Sequence, residues 1–529
     1  MTNAAPPPAP QPPAQSAAQL AAQRAAQSAA PLRLFNSLTR RAEDFVPVHA
    51  GQARVYTCGP TVYNYPHIGN MRAYVFADTL GRALSFCGYA LKHIINITDV
   101  GHLTDDADAG EDKMERMAAA RAQSIWDVAQ HYTQAYWADV KSLNIRQPAT
   151  WSIATDYVPQ MIEFAKSIAD KHCYQIASGL YFDTATVADY GRLARAATDE
   201  GEGRIEAVAG KRNAADFAIW RATPPGETRQ MEWDSPWGRG APGWHLECSV
   251  MSRELLGLPF DIHTGGIDHR EIHHPNEIAQ NQAITACGTL DCAENSGARI
   301  WMHNNFLIDR TGRDDGGKMS KSSGEFLRLQ LLMDRGFHPL AYRMMCLQAH
   351  YRSEMEFSWD GLAAAFVRLK RLVLAIEGLR AKTSGATDAD AALVDNADYA
   401  RQHFGQFYQS AHDLICDDLN TSSLLVLFET MIFSKSAGAA QDALKLRAVE
   451  AIDAILGLDL ARLRRADLRV QPAGATISPQ QIEAALETRR AARAAKDFAT
   501  SDRLRDELIS AGVDVMDGDP LGWDWRPRV

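Results

Sequence analysis

Two short clusters of residues are built to handle a polyphosphate. The first is Pro66-His67-Ile68-Gly69-Asn70, where an apolar strand candidate hands over to a helix candidate. A helix start offers unpaired N–H groups and the positive end of the dipole, both suited to phosphate oxygens. Glycine there lets a nucleotide approach the backbone closely. By itself a histidine before a helix is more often a cap or a packed side chain. The second cluster is Lys318-Met319-Ser320-Lys321-Ser322, in the Gly-rich stretch Asp314-Asp315-Gly316-Gly317. Two lysines three apart on a loop reach one triphosphate and offset charge as pyrophosphate departs. A charged surface loop is the plainer reading of that stretch alone. The two clusters together, in this order, make the phosphate reading specific, although Asp314 and Asp315 do nothing for a phosphate.

Such residues need a scaffold that brings distant segments together. Arg54 to Cys58 reads as a short strand and Gly59-Pro60-Thr61 as a turn. From about Asn70 to Phe86 the apolar positions Met71, Tyr74, Val75, Leu80, Ala83 and Leu84 fit a helix, with Gly88 at its end. Leu91 to Thr98 is a buried strand. Strand, helix, strand is a βαβ unit, so the fold class expected is α/β, a Rossmann-type parallel sheet spanning residues 32–345. The stretch from about 105 to 215 lacks that rhythm and reads as an insertion; the lysine loop occupies 314–324. The α/β character returns from Trp244 to Cys287.

Past Trp359, the residues Leu362, Phe366, Leu369, Val373 and Ile376 form a helical stripe, and Asp418 to Ser434 is another apolar helical run. This predicts a helix bundle over 346–470. A Pro/Gly/Ala-rich break near Gln471 to Thr476 precedes a small terminal unit, 476–529, opened by the capping box Ser478-Pro479-Gln480-Gln481. Its basic residues Arg489, Arg490, Arg493 and Lys496 read either as a salt-bridged solvated face or as an RNA contact. The first 31 residues are an Ala/Pro/Gln tail with Arg24 as the only charge, and are expected to be disordered.

The two phosphate clusters resemble the HIGH and KMSKS signatures of class I aminoacyl-tRNA synthetases. The text around them is similar to the cysteinyl branch of that family. The resemblance is carried by Tyr56-Thr57-Cys58-Gly59-Pro60-Thr61-Val62-Tyr63, Asn96-Ile97-Thr98-Asp99, Pro242-Gly243-Trp244-His245-Leu246-Glu247-Cys248-Ser249 and Gly265-Gly266-Ile267-Asp268. It implies zinc ligands at Cys58, Cys248, His273 and Glu277, one ion per chain. His273 and Glu277 are four apart, so both can face one point, and Pro275 is tolerable in a first helical turn. Spacing alone leaves His269 and His274 open as alternatives. The resemblance further implies that His67, Gly69, Asn70, Lys318 and Lys321 meet ATP, that Gly265, Gly266 and Asp268 border its adenosine, and that Trp244 and Thr61 lie near the substrate. Asn70 departs from the signature, whose second histidine often stands there; an amide can hydrogen-bond a nucleotide but cannot carry positive charge.

Cysteine and serine differ by one atom, and a shaped pocket separates near-isosteres by only about 10²-fold. Zinc prefers a soft thiolate, so a zinc-bound substrate sulfur would exclude serine at the binding step. The implied reaction joins L-cysteine to ATP as cysteinyl-adenylate, with Mg²⁺ accompanying ATP, and then transfers it to the 3′ end of tRNA(Cys). His67, Lys318 and Lys321 are the expected catalytic residues. A net charge of −10 argues against a general nucleic-acid coat, though not against a local basic face. Eight cysteines in 529 residues, without dense pairing, suit reduced thiols. With no membrane-length apolar run, a cytoplasmic monomer is expected. Three rivals are a cysteine:amino-sugar ligase, which shares the catalytic half, a non-catalytic RNA-binding relative and a purely structural zinc protein. The long helical half favours the tRNA reading over the first.

Overall fold

The structure, a computed structural model, describes residues 31–100, 124–194, 208–285, 289–290, 296–309, 327–519 and 521–529. The tail, part of the expected insertion and the whole lysine loop, with Lys318 and Lys321, lie outside the described residues.

Strand β1 (Gln52–Thr57), helix α1 (Ile68–Phe86) and strand β2 (Ala90–Ile97) form the expected unit. Five of the six residues of β1 are buried, as in strands covered on both faces. Helix α2 (Ile125–Ser142) and strand β3 (Thr150–Ile153) follow. Helices α3 (Val158–His172) and α4 (Trp244–Leu256), strand β4 (Phe260–Gly266), helix α5 (His273–Thr285) and strand β5 (Ala298–Asn304) complete the layer. The strands run β5-β4-β1-β2-β3, all parallel, with Thr57 aligned to Thr264 on one side and Ile95 on the other. From β1 the chain builds first toward β2 and β3, and later adds β4 and β5 on the opposite side. The crevice of such a sheet lies at the C-terminal ends of β1 and β4.

The boundaries of the expected insertion differ from the sequence reading. β3, inside 105–215, pairs with β2 as an edge strand of the parallel sheet, and α2 packs into the same core as α1. The departure from the parallel pattern is a four-stranded antiparallel sheet of Cys173–Ile176, Gly179–Phe182, Phe217–Ala222 and Gly240–Pro242, which runs past residue 215. A four-residue edge strand with three half-buried positions gives too short a pattern to be read as part of a sheet.

Helices α6 (Pro339–Gln348), α7 (Trp359–Thr383), α8 (Ala397–Cys416), α9 (Thr421–Phe433) and α10 (Ala439–Leu456) form the helical half. All five stripe residues of α7 are buried. The core does not stop near residue 345: one apolar cluster runs from Leu80 and Leu84 through Leu340 and Met344 to Leu369, Val373 and Phe428. The terminal unit has its own core. Ile482 and Leu486 of α11 (Pro479–Ala494) and Leu508 of α12 (Phe498–Ser510) pack on Trp523 and Trp525. Its basic face is partly consumed internally, since Arg489 binds Asp517 at 2.6 and 2.8 Å and Arg493 meets the same carboxylate at 2.9 Å. Asp418 also has a structural role. It accepts from the Phe35 N–H (2.8 Å), the Tyr351 hydroxyl (2.7 Å) and Arg352 (2.7 Å), clamping the chain start to the bundle.

Beneath α1 lies the buried carboxylate of Asp78. It accepts from Arg82 Nε at 2.7 Å and Arg343 Nη2 at 2.6 Å, and Arg146 Nε stands 3.5 Å away. Burial alone would push this carboxyl up, but the three guanidiniums outweigh it and hold it below its usual range. Arg343 continues to the Leu456 carbonyl at 2.7 Å. Gly457, which caps α10 at φ +63°, leaves the room that guanidinium needs: a Cβ there would lie 2.4 Å from Arg343 Nη2. Replacing Asp78 with alanine strands buried cations and is expected to cost about 3–5 kcal/mol. The drop in the urea unfolding midpoint measures it, and Asp78→Asn should recover little, because an amide leaves the charges unpaired.

Candidate functional site

The site grows from the end of β1. Cys58 follows that strand directly, and its N–H bonds the Thr264 carbonyl of β4 at 3.0 Å. Gly59 then passes so close to β2 that a Cβ would sit 1.5 Å from the Asn96 carbonyl oxygen. The Asn96 side chain accepts the Gly59 N–H at 2.7 Å, which fixes the turn. Cys248 comes from the second turn of α4, and His273 and Glu277 from the first turns of α5. All four side chains are buried.

These four meet at one point. The Cys58 and Cys248 sulfurs are 3.9 Å apart, Cys58 Sγ lies 4.0 Å from Glu277 Oε1, and His273 Nε2 lies 3.1 Å from the same oxygen. All four donor atoms fall within 4.8 Å of one another. A tetrahedral centre with bonds of about 2.3 Å to sulfur and about 2.0 Å to nitrogen or oxygen has S···S edges of roughly 3.8 Å and N···O edges of roughly 3.3 Å. The spacing therefore fits a metal ion. A second set, Cys58, His263, His274 and Glu277, satisfies the same closeness. Two sulfurs favour the first set for a soft metal, and in the second both histidines are engaged as supports. His263 Nε2 lies 2.9 Å from Glu277 Oε2, and His274 Nδ1 lies 2.7 Å from His303 Nε2.

Around the donors stands a shell of imidazoles. His245 Nδ1 is 2.9 Å from His273 Nδ1, which turns Nε2 of His273 toward the cluster. His303 Nδ1 meets the Ser37 hydroxyl at 2.9 Å, and His274 Nε2 meets Cys58 Sγ at 3.3 Å. Burial drives His274 and His303 well below the usual histidine range, so both rings are neutral. Each neutral ring donates once and accepts once. A thiolate at Cys58 therefore sets one direction of donation: Ser37 to His303, His303 to His274, His274 to sulfur.

The electrostatics of the donors follow from their crowding. Burial pushes the Cys58 thiol up, whereas the hydrogen bond from Cys58 holds Cys248 down, to about 6. Burial opposes charge on His273 and Glu277 too, but their mutual attraction prevails. His273 is raised to about 10, and Glu277, paired with His263 and His273, is lowered to about 2.

Beside the cluster opens a cleft of about 280 Å³. Cys58, Thr61, His67, Gly69, Asn70, Gly266 and Asp268 line it. His67 is the N-cap of α1. Its Nδ1 accepts the Asn70 N–H at 3.1 Å while the Asn70 side-chain oxygen accepts the His67 N–H at 3.2 Å. Asn70 thus closes a capping box, a task its amide performs without positive charge. With Nδ1 accepting, the His67 proton belongs on Nε2. Gly265 lies deeper, where a Cβ would come within 2.7 Å of His269 and His274. Trp244, the first residue of α4, stacks on the His273 ring at 4.4 Å but is not among the residues that line the cleft. Sequence reasoning missed His245, His263 and His303 as supports. For His263 and His303 the signal was a histidine inside β4 and β5, where a buried polar group calls for a partner.

Known proteins share both the sequence and the fold of this chain. Residues 44–366 match the family model for the class I (C) tRNA synthetase catalytic domain. Residues 478–526 match that for the cysteinyl-tRNA ligase anticodon binding domain. The cysteine–tRNA ligase of Novosphingobium aromaticivorans is 68% identical over 497 residues, covering 94% of this chain and 97% of the relative. That of Zymomonas mobilis is 50% identical over 521 residues, covering 94% and 98%. Among solved structures, a LeuRS–tRNA–LeuAMS complex from Agrobacterium radiobacter shares the fold with a TM-score of 0.54 at 12% identity, over 82% of this chain and 88% of that one.

The donor cluster gives the fold a pH signature. His273, raised from 6.5, stabilises the metal-free protein fully below 6.5, and that contribution is lost as pH rises toward about 10. Glu277, lowered from 4.5, contributes above 4.5, and that part is lost as pH falls toward about 2. A bound dication must displace the proton on His273 and those on the thiols. The thermal midpoint gap between metal-loaded and metal-stripped protein is therefore expected to widen from about pH 5 to about pH 8; a constant gap would show that no such protons are displaced.

Proposed function

Because the chain belongs to the cysteine–tRNA ligase family of class I tRNA synthetases, we propose that Cys58, Cys248, His273 and Glu277 hold one Zn²⁺ beside a cleft for L-cysteine and ATP. The observation that carries this reading is the convergence of two buried sulfurs, an imidazole and a carboxylate at tetrahedral spacing against the wall of that cleft. Bound there, Zn²⁺ would supply a soft acceptor for the substrate thiolate that the hydroxyl of serine cannot match. Four protein donors ordinarily close a zinc site. Glu277 is the donor best able to give way, since its second oxygen is already held by His263.

The chain's own residues then act by positioning and charge. The cysteine carboxylate attacks the α-phosphorus of ATP, and pyrophosphate leaves with its Mg²⁺. His67 donates from Nε2 toward the phosphates at the N-terminus of α1, where the helix dipole adds to the attraction. Lys318 and Lys321 offset the charge of the departing pyrophosphate. Gly265, Gly266 and Asp268 border the adenosine, Gly69 and Asn70 keep the helix start open to phosphate, and Trp244 and Thr61 flank the amino acid. The adenylate then passes its cysteinyl group to the terminal ribose of tRNA(Cys). Residues 32–345 serve as the catalytic unit, 346–470 as the helical tRNA-binding unit and 476–529 as the terminal one. Phe498, 62% exposed at the start of α12, offers a ring face for base stacking. The amino-sugar ligase reading has no use for that last unit. Every donor comes from one chain, which suits a monomer. Among the described residues no helix is long and apolar enough to cross a membrane, which suits a cytoplasmic enzyme.

Replacing Cys248 with serine or His273 with alanine is expected to remove zinc and cysteine-dependent ATP–pyrophosphate exchange together. Full exchange by a zinc-free variant would end the metal assignment. Lys321→Ala should slow exchange by about 10²-fold with zinc retained, and an unchanged rate would remove that lysine from the mechanism.

A further inference from the structure

At the far end of α1, a second group of soft donors lies outside the cleft. Helix α1 ends at Phe86 with Cys87 as its C-cap, and α8 ends at Cys416. With 19 residues, α1 is about 28 Å long at 1.5 Å per residue, so this place is remote from His67. The Cys87 and Cys416 sulfurs are 3.6 Å apart. His412, one turn before Cys416 on the same face of α8, brings both ring nitrogens to 3.6 Å from the Cys416 sulfur. The three donor atoms all lie within 4.8 Å of one another.

We propose that Cys87, His412 and Cys416 form a second metal site, which takes a thiophilic dication such as Zn²⁺ and fastens the end of α1 to the helical half. The distances match the edges of a tetrahedral S₂N centre, about 3.8 Å between sulfurs and about 3.5 Å from sulfur to nitrogen. An independent observation is electrostatic. Two helix C-termini converge here, each the negative end of a dipole, and neither α1 nor α8 has a basic residue in its last turn. Two thiolates at these negative ends would be disfavoured on their own, so the pair calls for a cation between them. Two thiolates and a neutral imidazole balance a dication without residual charge, which suits buried Cys416 and His412. Cys87 is only half-buried, so the site borders solvent. Asp413 stands nearby, its carboxylate 3.9 Å from His412 Nδ1 and held by Gln409 at 2.8 Å.

The test is metal content of the full-length chain, stripped, reconstituted with Co²⁺ and freed of excess by gel filtration. The wild type should retain about two equivalents per chain, Cys87→Ser and Cys248→Ser about one each, and the double variant almost none. The Cys87→Ser protein should lose roughly half of the sulfur-to-cobalt charge-transfer absorption while keeping ATP–pyrophosphate exchange, which also reports that it is folded. His412→Ala should lose the same equivalent. Equal cobalt in wild type and Cys87→Ser would overturn the site. So would a non-reduced wild-type mass lighter by two hydrogens than the reduced protein and a normal mass in Cys87→Ser, since that pair would then be a disulfide. Failure of the first site would appear separately, as no loss in Cys248→Ser.

Discussion

A carboxylate buried among three guanidiniums gains nothing by being there unless every charge is answered. Asp78 meets that condition, with Arg82 and Arg343 in direct hydrogen bonds and Arg146 close behind. In a weakly polarisable interior the removal of one partner leaves the others unpaired, so the set persists or fails as a whole. Its geometry matters more than its net energy. Asp78 sits on α1, Arg343 on α6, and the latter reaches the end of α10. One ionic knot thus fixes the orientation of the helix whose first turn lines the cleft.

The cleft depends on that fixed helix and on a division of labour around the metal donors. Sulfur, imidazole and carboxylate form the inner set. His245, His263 and the His274–His303–Ser37 chain hold them in place from behind. Neutral imidazoles suit this role because each combines one donor with one acceptor and so passes direction along without adding charge to an interior that already holds two sulfurs and a carboxylate. Gly59 sets the other boundary, since only a residue without Cβ lets the turn after β1 lie against Asn96.

Much of this could be read from the chain alone, for reasons that differ by element. The βαβ unit and the α7 stripe were legible because their periodicity is local. Cys58, Cys248, His273 and Glu277 were legible only through the resemblance, as 190 positions separate the two cysteines and composition gives no hint that they meet. Asn70 looked like a defect in a signature, but its amide closes a capping box that a motif comparison does not register. The Asp78 knot was invisible because its partners lie 4 to 265 positions away, and arginine in a helix ordinarily reads as surface. Asp418 read as the start of an apolar helical run and serves as a clamp, since a carboxylate's partners are set by tertiary contact. The edge strand β3 was too short to announce itself.

The apolar core that continues from the sheet into the helices removes a hinge where one would be expected. Interdigitated side chains yield little to bending, so the helical half holds a set distance and angle from the cleft. Such a body works as a ruler. Any substrate held at both the helical half and the cleft must therefore match that fixed span.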